Sequence, residues 1–245
     1  MPSLYLSPST QEYNPYVTTG TEEYWMNRLA DAMEPYLNAS GIQYDRNTPD
    51  MTAASSIAAS NRGSYQLHLA LHSNASPEER VGSQRGILAL YFPSSVEGKR
   101  AAELLANGLK AVYPLPNLVR AEPSSSIGEL RRTRAPSVLL ELGYHDNAAD
   151  ADWIIRSIDA IAGNLVLSLT EFFGIPFFSF GLWTPGQVRL SGGVLNVYPI
   201  PSVQSAPVAQ LTDGAPVTVV NAYDSWYLIR FGDAFGYAAG AYIET

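Results

Sequence analysis

Two strand ends in this sequence carry groups that could do chemistry. The run Ala135-Pro-Ser-Val-Leu-Leu-Glu-Leu-Gly-Tyr-His-Asp-Asn147 drives an apolar stretch straight into a carboxylate at Glu141, then into Gly143 and a polar turn. An apolar run bounded by turn signals reads as a buried strand of a parallel sheet. A carboxylate at its end must be paired, protonated or metal-bound, because an isolated buried charge is very costly. The run Gln66-Leu-His-Leu-Ala-Leu-His-Ser-Asn-Ala75 is a second such strand and delivers His72 into a Ser-Asn turn. Histidine there serves as a metal ligand or as a proton carrier near neutral pH. His68 lies four residues earlier on the same strand, roughly 13 Å away at about 3.3 Å per residue. The two histidines therefore cannot share one ion, and His68 reads as a core histidine with a satisfied ring nitrogen.

Other charged residues flank these two. Thr21 can cap a helix that carries Glu22 and Glu23 in its first turn, where carboxylates suit the macrodipole with or without a metal. Arg131 and Arg132, just before the Glu141 strand, could bind a substrate carboxylate bidentately or simply face water. Arg85 precedes another strand.

Elements that would position these groups alternate along the first 175 residues. Strands are expected at 4–6, 42–46, 66–72, 86–92 and 136–142. Helices are expected from Thr21 to about residue 38, and over 52–61, 101–112 and 150–173. Met26, Leu29, Met33 and Leu37 form the apolar stripe of the first helix. Such alternation implies an α/β fold, a mostly parallel sheet with helices on both faces, whose ligand site lies at the carboxyl ends of the strands.

After Phe177 the pattern changes. The segments 186–198, 215–220, 226–231 and 235–243 are short strands separated by Gly, Pro and Asp turns, with no helical stripe. Their spacing indicates a small all-β barrel. We therefore divide the chain at 1–177 and 178–245.

Composition excludes several classes of function. With 245 residues, 46% hydrophobic and 16% charged, the chain is globular. A net charge of -8 argues against nucleic acid, which requires a basic face. No apolar run approaches the ~18 residues of a membrane span. The absence of cysteine rules out disulfides and thiolate zinc sites. The opening Met1-Pro-Ser-Leu-Tyr-Leu-Ser-Pro8 has neither a basic n-region nor an apolar h-region and reads as the first strand, so no secretory signal is expected here.

Thr21-Glu-Glu-Tyr-Trp-Met-Asn27, Leu69-Ala-Leu-His-Ser-Asn-Ala75 and Leu130-Arg-Arg-Thr-Arg-Ala-Pro-Ser-Val-Leu-Leu-Glu-Leu-Gly-Tyr144 resemble the zinc-dependent N-acetylmuramoyl-L-alanine amidases of the Amidase_3 family. Val194-Leu-Asn-Val-Tyr-Pro, Thr218-Val-Val220, Asp224-Ser-Trp-Tyr227 and Gly236-Tyr-Ala-Ala-Gly-Ala-Tyr242 resemble a bacterial SH3 domain. The first resemblance implies a peptidoglycan hydrolase that cleaves the amide between N-acetylmuramic acid and L-alanine by zinc-activated water. It implies Glu23 and His72 as metal ligands and Glu141 as the catalytic carboxylate that takes the water's proton. Arg131, Arg132, Arg85 and Asn74 would contact substrate. The second implies attachment to the wall through Trp226, Tyr227 and Tyr237, and a location at the cell wall or outside the cell.

One position departs from the family pattern. The family's first histidine lies in the loop after the first strand, and no histidine precedes residue 68 here. Tyr13 takes that place, and a phenol of pKa about 10 is a poor zinc ligand. Tyr13 as phenolate, Glu12 as carboxylate, or His145 folding back could each complete the site. The alternative is an amidase-like wall-binding protein with impaired catalysis.

Overall fold

The computed structural model describes residues 2–245. In chain order the first part comprises β1 (Ser3–Pro8), α1 (Glu22–Ala39), β2 (Gln43–Arg46), α2 (Ala53–Ser60), β3 (Leu67–Asn74), β4 (Ile87–Tyr91), α3 (Val96–Leu109), β5 (Val119–Pro123), α4 (Gly128–Arg131), β6 (Ser137–Tyr144), α5 (Ala148–Arg156) and α6 (Ile158–Phe173). The six strands form one sheet in the order β2-β1-β3-β6-β4-β5. β1 with β3, β3 with β6 and β4 with β5 run parallel, while β4 and β6 are antiparallel. The expected α/β architecture with a mostly parallel sheet is thus the observed one.

β3 and β6 are central, which is why both sequences read as near-continuous apolar runs. Leu67, Leu69, Leu71, Val138, Leu140 and Leu142 are all fully buried, as are Met26, Leu29 and Met33 from the stripe of α1. Each such side chain contributes about 1.5–3 kcal/mol relative to exposure. Local signals set the helix starts. Tyr24 N donates to Thr21 Oγ1 at the head of α1, Thr52 caps α2 through Ser55 N, and Ser95 caps α3 through Gly98 N. α3 therefore begins at Val96, earlier than the apolar spacing alone suggests. β5 escaped the sequence reading because it is an edge strand, hydrogen-bonded only to β4 and polar at Arg120 and Glu122.

The remaining strands are β7 (Thr184–Val188), β8 (Leu195–Val197), β9 (Ala209–Leu211), β10 (Pro216–Tyr223), β11 (Trp226–Phe231), β12 (Ala234–Ala239) and β13 (Ile243–Glu244). Five of them form the sheet β12-β11-β10-β7-β13, and β8 pairs with β9. Val188, Val197, Val219, Ile229 and Ala238 make their core. By contacts, the chain separates into two compact units. One holds Ser3–Glu34 and Tyr44–Phe172; the other holds Phe173–Thr245 together with Pro35–Gln43. Within the second unit Asn221 Nδ2 donates to the carbonyls of Ala39 and Phe180, and Leu228 lies against Gly41.

Candidate active site

His72 and Glu141 face each other across the central pair of strands. They are direct register partners in the parallel ladder of β3 and β6, so both side chains leave the same face of the sheet. Beyond them the ladder slips by one residue, with Asn74 opposite Tyr144. Gly143, at φ +89°, supplies the left-handed turn this needs.

The carboxylate that α1 brings to His72 is Glu22. Its Oε1 lies 2.7 Å from His72 Nδ1, its Oε2 accepts from Asn14 Nδ2 at 2.7 Å, and it is 1% exposed. The β1–α1 loop fixes this position, because Glu22 N donates to Asn14 O. Glu23, one residue and about 100° further round the helix, accepts instead from Asn27 Nδ2 on its own helix at 3.1 Å. Glu22 therefore holds the place expected of Glu23. In sequence the two are indistinguishable, since either suits a first turn.

A second buried carboxylate enters from α4. Glu129 Oε2 lies 3.4 Å from His72 Nε2, and Oε1 sits 3.1 Å from His68 Nε2 and accepts from Ser7 Oγ at 2.7 Å. His68 Nδ1 pairs with Ser60 Oγ, so both nitrogens of this core histidine are partnered. A continuous buried chain results: Ser60, His68, Glu129, His72, Glu22, Asn14. Sequence reasoning missed Glu129 because a single acid in a four-residue helix carries no periodic signal. It lies beside the pair of arginines singled out instead.

The fields in this cluster oppose one another. Burial would discharge His72, yet hydrogen bonds to Glu129 and Glu22 outweigh it and push its pKa up to about 10. Burial likewise works against Glu129 and Glu22, but their histidine partners hold both carboxyls below the usual range. Glu141 goes the other way: burial pushes it up to about 7, with His72 opposing and Glu22 reinforcing. One of its oxygens, Oε2, is buried without a hydrogen-bond partner. Of the carboxyls in the cluster, Glu141 is the one whose ionisation burial moves toward neutral pH.

Several candidate residues lie elsewhere. Tyr13 is 73% exposed, lines the outer part of the cavity beside His72 and donates to Gln11 Oε1 rather than to the ring. His145 is spent on Ser73, with Nδ1 2.9 Å from its carbonyl, and stacks on Tyr16. Arg85 pairs through Nε with Asp150 Oδ1 at 2.7 Å and serves that buried carboxylate. Arg131 and Arg132 are exposed at the end of α4. Asn74 Oδ1 accepts from the neighbouring Ala75 N. A cavity of about 350 Å³ opens beside His72 and Glu129, lined by Ser9, Thr10, Gln11 and Asn47 among others.

These donors do not fit the zinc that the resemblance implies. Two ligands on one tetrahedral zinc at 2.0–2.1 Å stand about 3.3 Å apart, whereas Glu22 Oε1 and His72 Nδ1 touch at 2.7 Å. The 3.4 Å gap from His72 Nε2 to Glu129 could span an ion, but the other Glu129 oxygen is bound to His68. Among the described residues no group of three His, Asp, Glu or Cys side chains is arranged to hold a metal.

In the barrel, Trp226 packs edge-on against Tyr198 and both line a groove of about 400 Å³ with Tyr242 and Asn196. Tyr227 packs partly against the barrel core. Tyr237 is 1% exposed and is itself core, so it cannot reach a ligand.

Comparison with known proteins agrees with this architecture. Solved structures sharing the fold include the amidase AmiC2 of Nostoc punctiforme, at 15% identity and TM-score 0.61, covering 71% of this chain and 97% of that one. An N-acetylmuramoyl-L-alanine amidase from Clostridium difficile 630 aligns at 16% identity and TM-score 0.63, with the same coverage. The catalytic domain of CwlV from Bacillus (Paenibacillus) polymyxa aligns at 16% identity and TM-score 0.61, covering 72% of this chain and all of that one. Among curated proteins nothing matches. The bacterial SH3 domain model matches residues 193–244. The N-acetylmuramoyl-L-alanine amidase model matches residues 11–170, about two thirds of the sequence, and the chain belongs to that family.

Proposed function

We propose that this chain acts on peptidoglycan, hydrolysing the amide between the lactyl group of N-acetylmuramic acid and L-alanine, with Glu141 as general base. The observation that carries this reading is Glu141 itself, a half-buried residue at the end of a central strand, in register with His72 and with one carboxyl oxygen, Oε2, buried and unpartnered. In this mechanism the Glu141 carboxylate takes a proton from water as the hydroxyl adds to the amide carbonyl. Negative charge gathers on the carbonyl oxygen, and the positive charge of His72, shared with Glu22 and Glu129 at its two ring nitrogens, bears on it only through space. Glu141 then passes its proton to the departing amine, which leaves a lactyl carboxylate and a free L-alanine N-terminus. No step runs through zinc, because the donor set does not suit it. The bacterial SH3 domain would hold the chain on its polymeric substrate through the Trp226 groove, at the cell wall or outside the cell.

The test is incubation of the purified chain with peptidoglycan sacculi, followed by labelling of new amino termini and mass analysis of released peptides. Glu141→Gln should lower the rate by at least ~100-fold, the usual scale of general-base loss. A variant retaining more than roughly a tenth of the activity would remove Glu141 from this role. A second reading, wall recognition without turnover, is favoured by one observation: carboxylates occupy both ring nitrogens of His72. It predicts that the wild-type chain pellets with sacculi and releases nothing.

A further inference from the structure

We propose that the centre around His72 excludes zinc, and that Gln11 is the residue occupying the place a third ligand would need. Three placements support this. Glu22 Oε1 touches His72 Nδ1 directly, and Glu129 Oε2 stands at Nε2, so neither ring nitrogen offers a free lone pair to an ion. The β1–α1 loop also sets Gln11 against the ring, with its Nε2 3.2 Å from the same Nδ1. Gln11 is locked in that pose from behind. Its Oε1 accepts from Asn14 Nδ2 at 3.0 Å and from Tyr13 Oη at 3.2 Å, and its backbone N donates to Ser9 Oγ. Asn14 in turn holds the second oxygen of Glu22.

The Gln11 amide is held by Asn14 and Tyr13 and stands beside the histidine and its carboxylate. A primary amide is a weak neutral donor toward zinc, far poorer than imidazole, carboxylate or thiolate. Tyr13 occupies the outer layer of the loop and touches Gln11 rather than the centre. The residue whose replacement would open a metal site is therefore Gln11, and Tyr13 is the control.

Full-length protein freed of metal, re-exposed to zinc and desalted should carry well under one equivalent by elemental analysis, with a weak Kd by chelator competition. Gln11→His should raise zinc affinity at least ~10–100-fold, the scale on which even outer-shell groups act. Gln11→Cys should do the same and give a cobalt–thiolate absorption band, in a chain that has no other cysteine. Two variants of different size guard against one failing to fold. Tyr13→His should leave affinity unchanged.

Stoichiometric, tightly held zinc in the wild-type chain would overturn the proposal. So would a gain at Tyr13→His with none at either Gln11 variant, or zinc-free behaviour in both folded Gln11 variants. All of these are read without substrate. A chain that cleaves no amide yet excludes zinc would count against the proposed hydrolysis and leave this inference standing.

Discussion

At the scale of single residues, Glu141 shows a conflict between stability and chemistry. Its carboxyl sits without a partner for Oε2 and is pushed up to about 7, against an ordinary value of 4.5. A raised folded-state pKa means the folded protein holds this proton more tightly than the unfolded chain does. The corresponding stability is fully present below about pH 4.5 and is lost as pH rises through about 7. Glu141→Gln cannot ionise, so it should gain on the wild type across that window, with a ceiling of roughly 3 kcal/mol at 1.36 kcal/mol per unit. Urea unfolding at several pH values reads it directly. A difference that does not vary with pH would mean that Glu141 titrates normally. His72 and Glu141 were legible in sequence because each ends an apolar run. Glu22, Glu129 and Gln11 were not, because their roles depend on which way a helix or loop turns: Glu22 and Glu23 are adjacent acids, and only the Asn14 hydrogen bonds select one.

At the scale of elements, the ends of β4 and β6 are tied together by one carboxylate. Asp150, fully buried in the first turn of α5, accepts from Arg85 Nε, Tyr113 Oη and the backbone N of Gly86 and Tyr144. Four donors converge on it from three segments. Asp150→Ala should therefore cost about 2–5 kcal/mol, since it strands buried donors as well as a guanidinium. Arg85→Met should cost less, because the carboxylate keeps three partners and the Arg85 side chain is already 29% exposed. Equal losses in denaturant titrations of the two variants would assign the effect to the ion pair alone. Arg85 looked like a substrate contact because a charged residue before a strand fits either role, and a partner 65 residues away leaves no local trace. The buried strands and the stripe of α1 were readable from period alone. β5 was not, because an edge strand need not be apolar. The start of α3 was set by the Ser95 cap, which outweighs apolar spacing.

At the scale of the whole molecule, a domain of the amidase family is joined to a bacterial SH3 domain. Among the described residues no single helix is long and apolar enough to cross a membrane. The aromatics of the barrel divide into two physical classes. Trp226 and Tyr198 line an open groove in an edge-on pair, whereas Tyr237 is enclosed among strands. Sequence alone could not separate them, because alternation gives the period of β11 and β12 but not which side chains the loops leave uncovered. Full-length Trp226→Ala should fold as the wild type does and sediment several-fold less with purified walls, since a half-buried aromatic anchor lining a groove is worth about 1–2 kcal/mol or more. Tyr237→Ala should behave oppositely, costing about 3–5 kcal/mol of barrel stability through the cavity it leaves. Any binding loss there should track unfolding. Co-sedimentation and thermal melts on the same samples separate the two effects. Unchanged pelleting by a folded Trp226→Ala chain would show that the groove is not where this protein holds the wall.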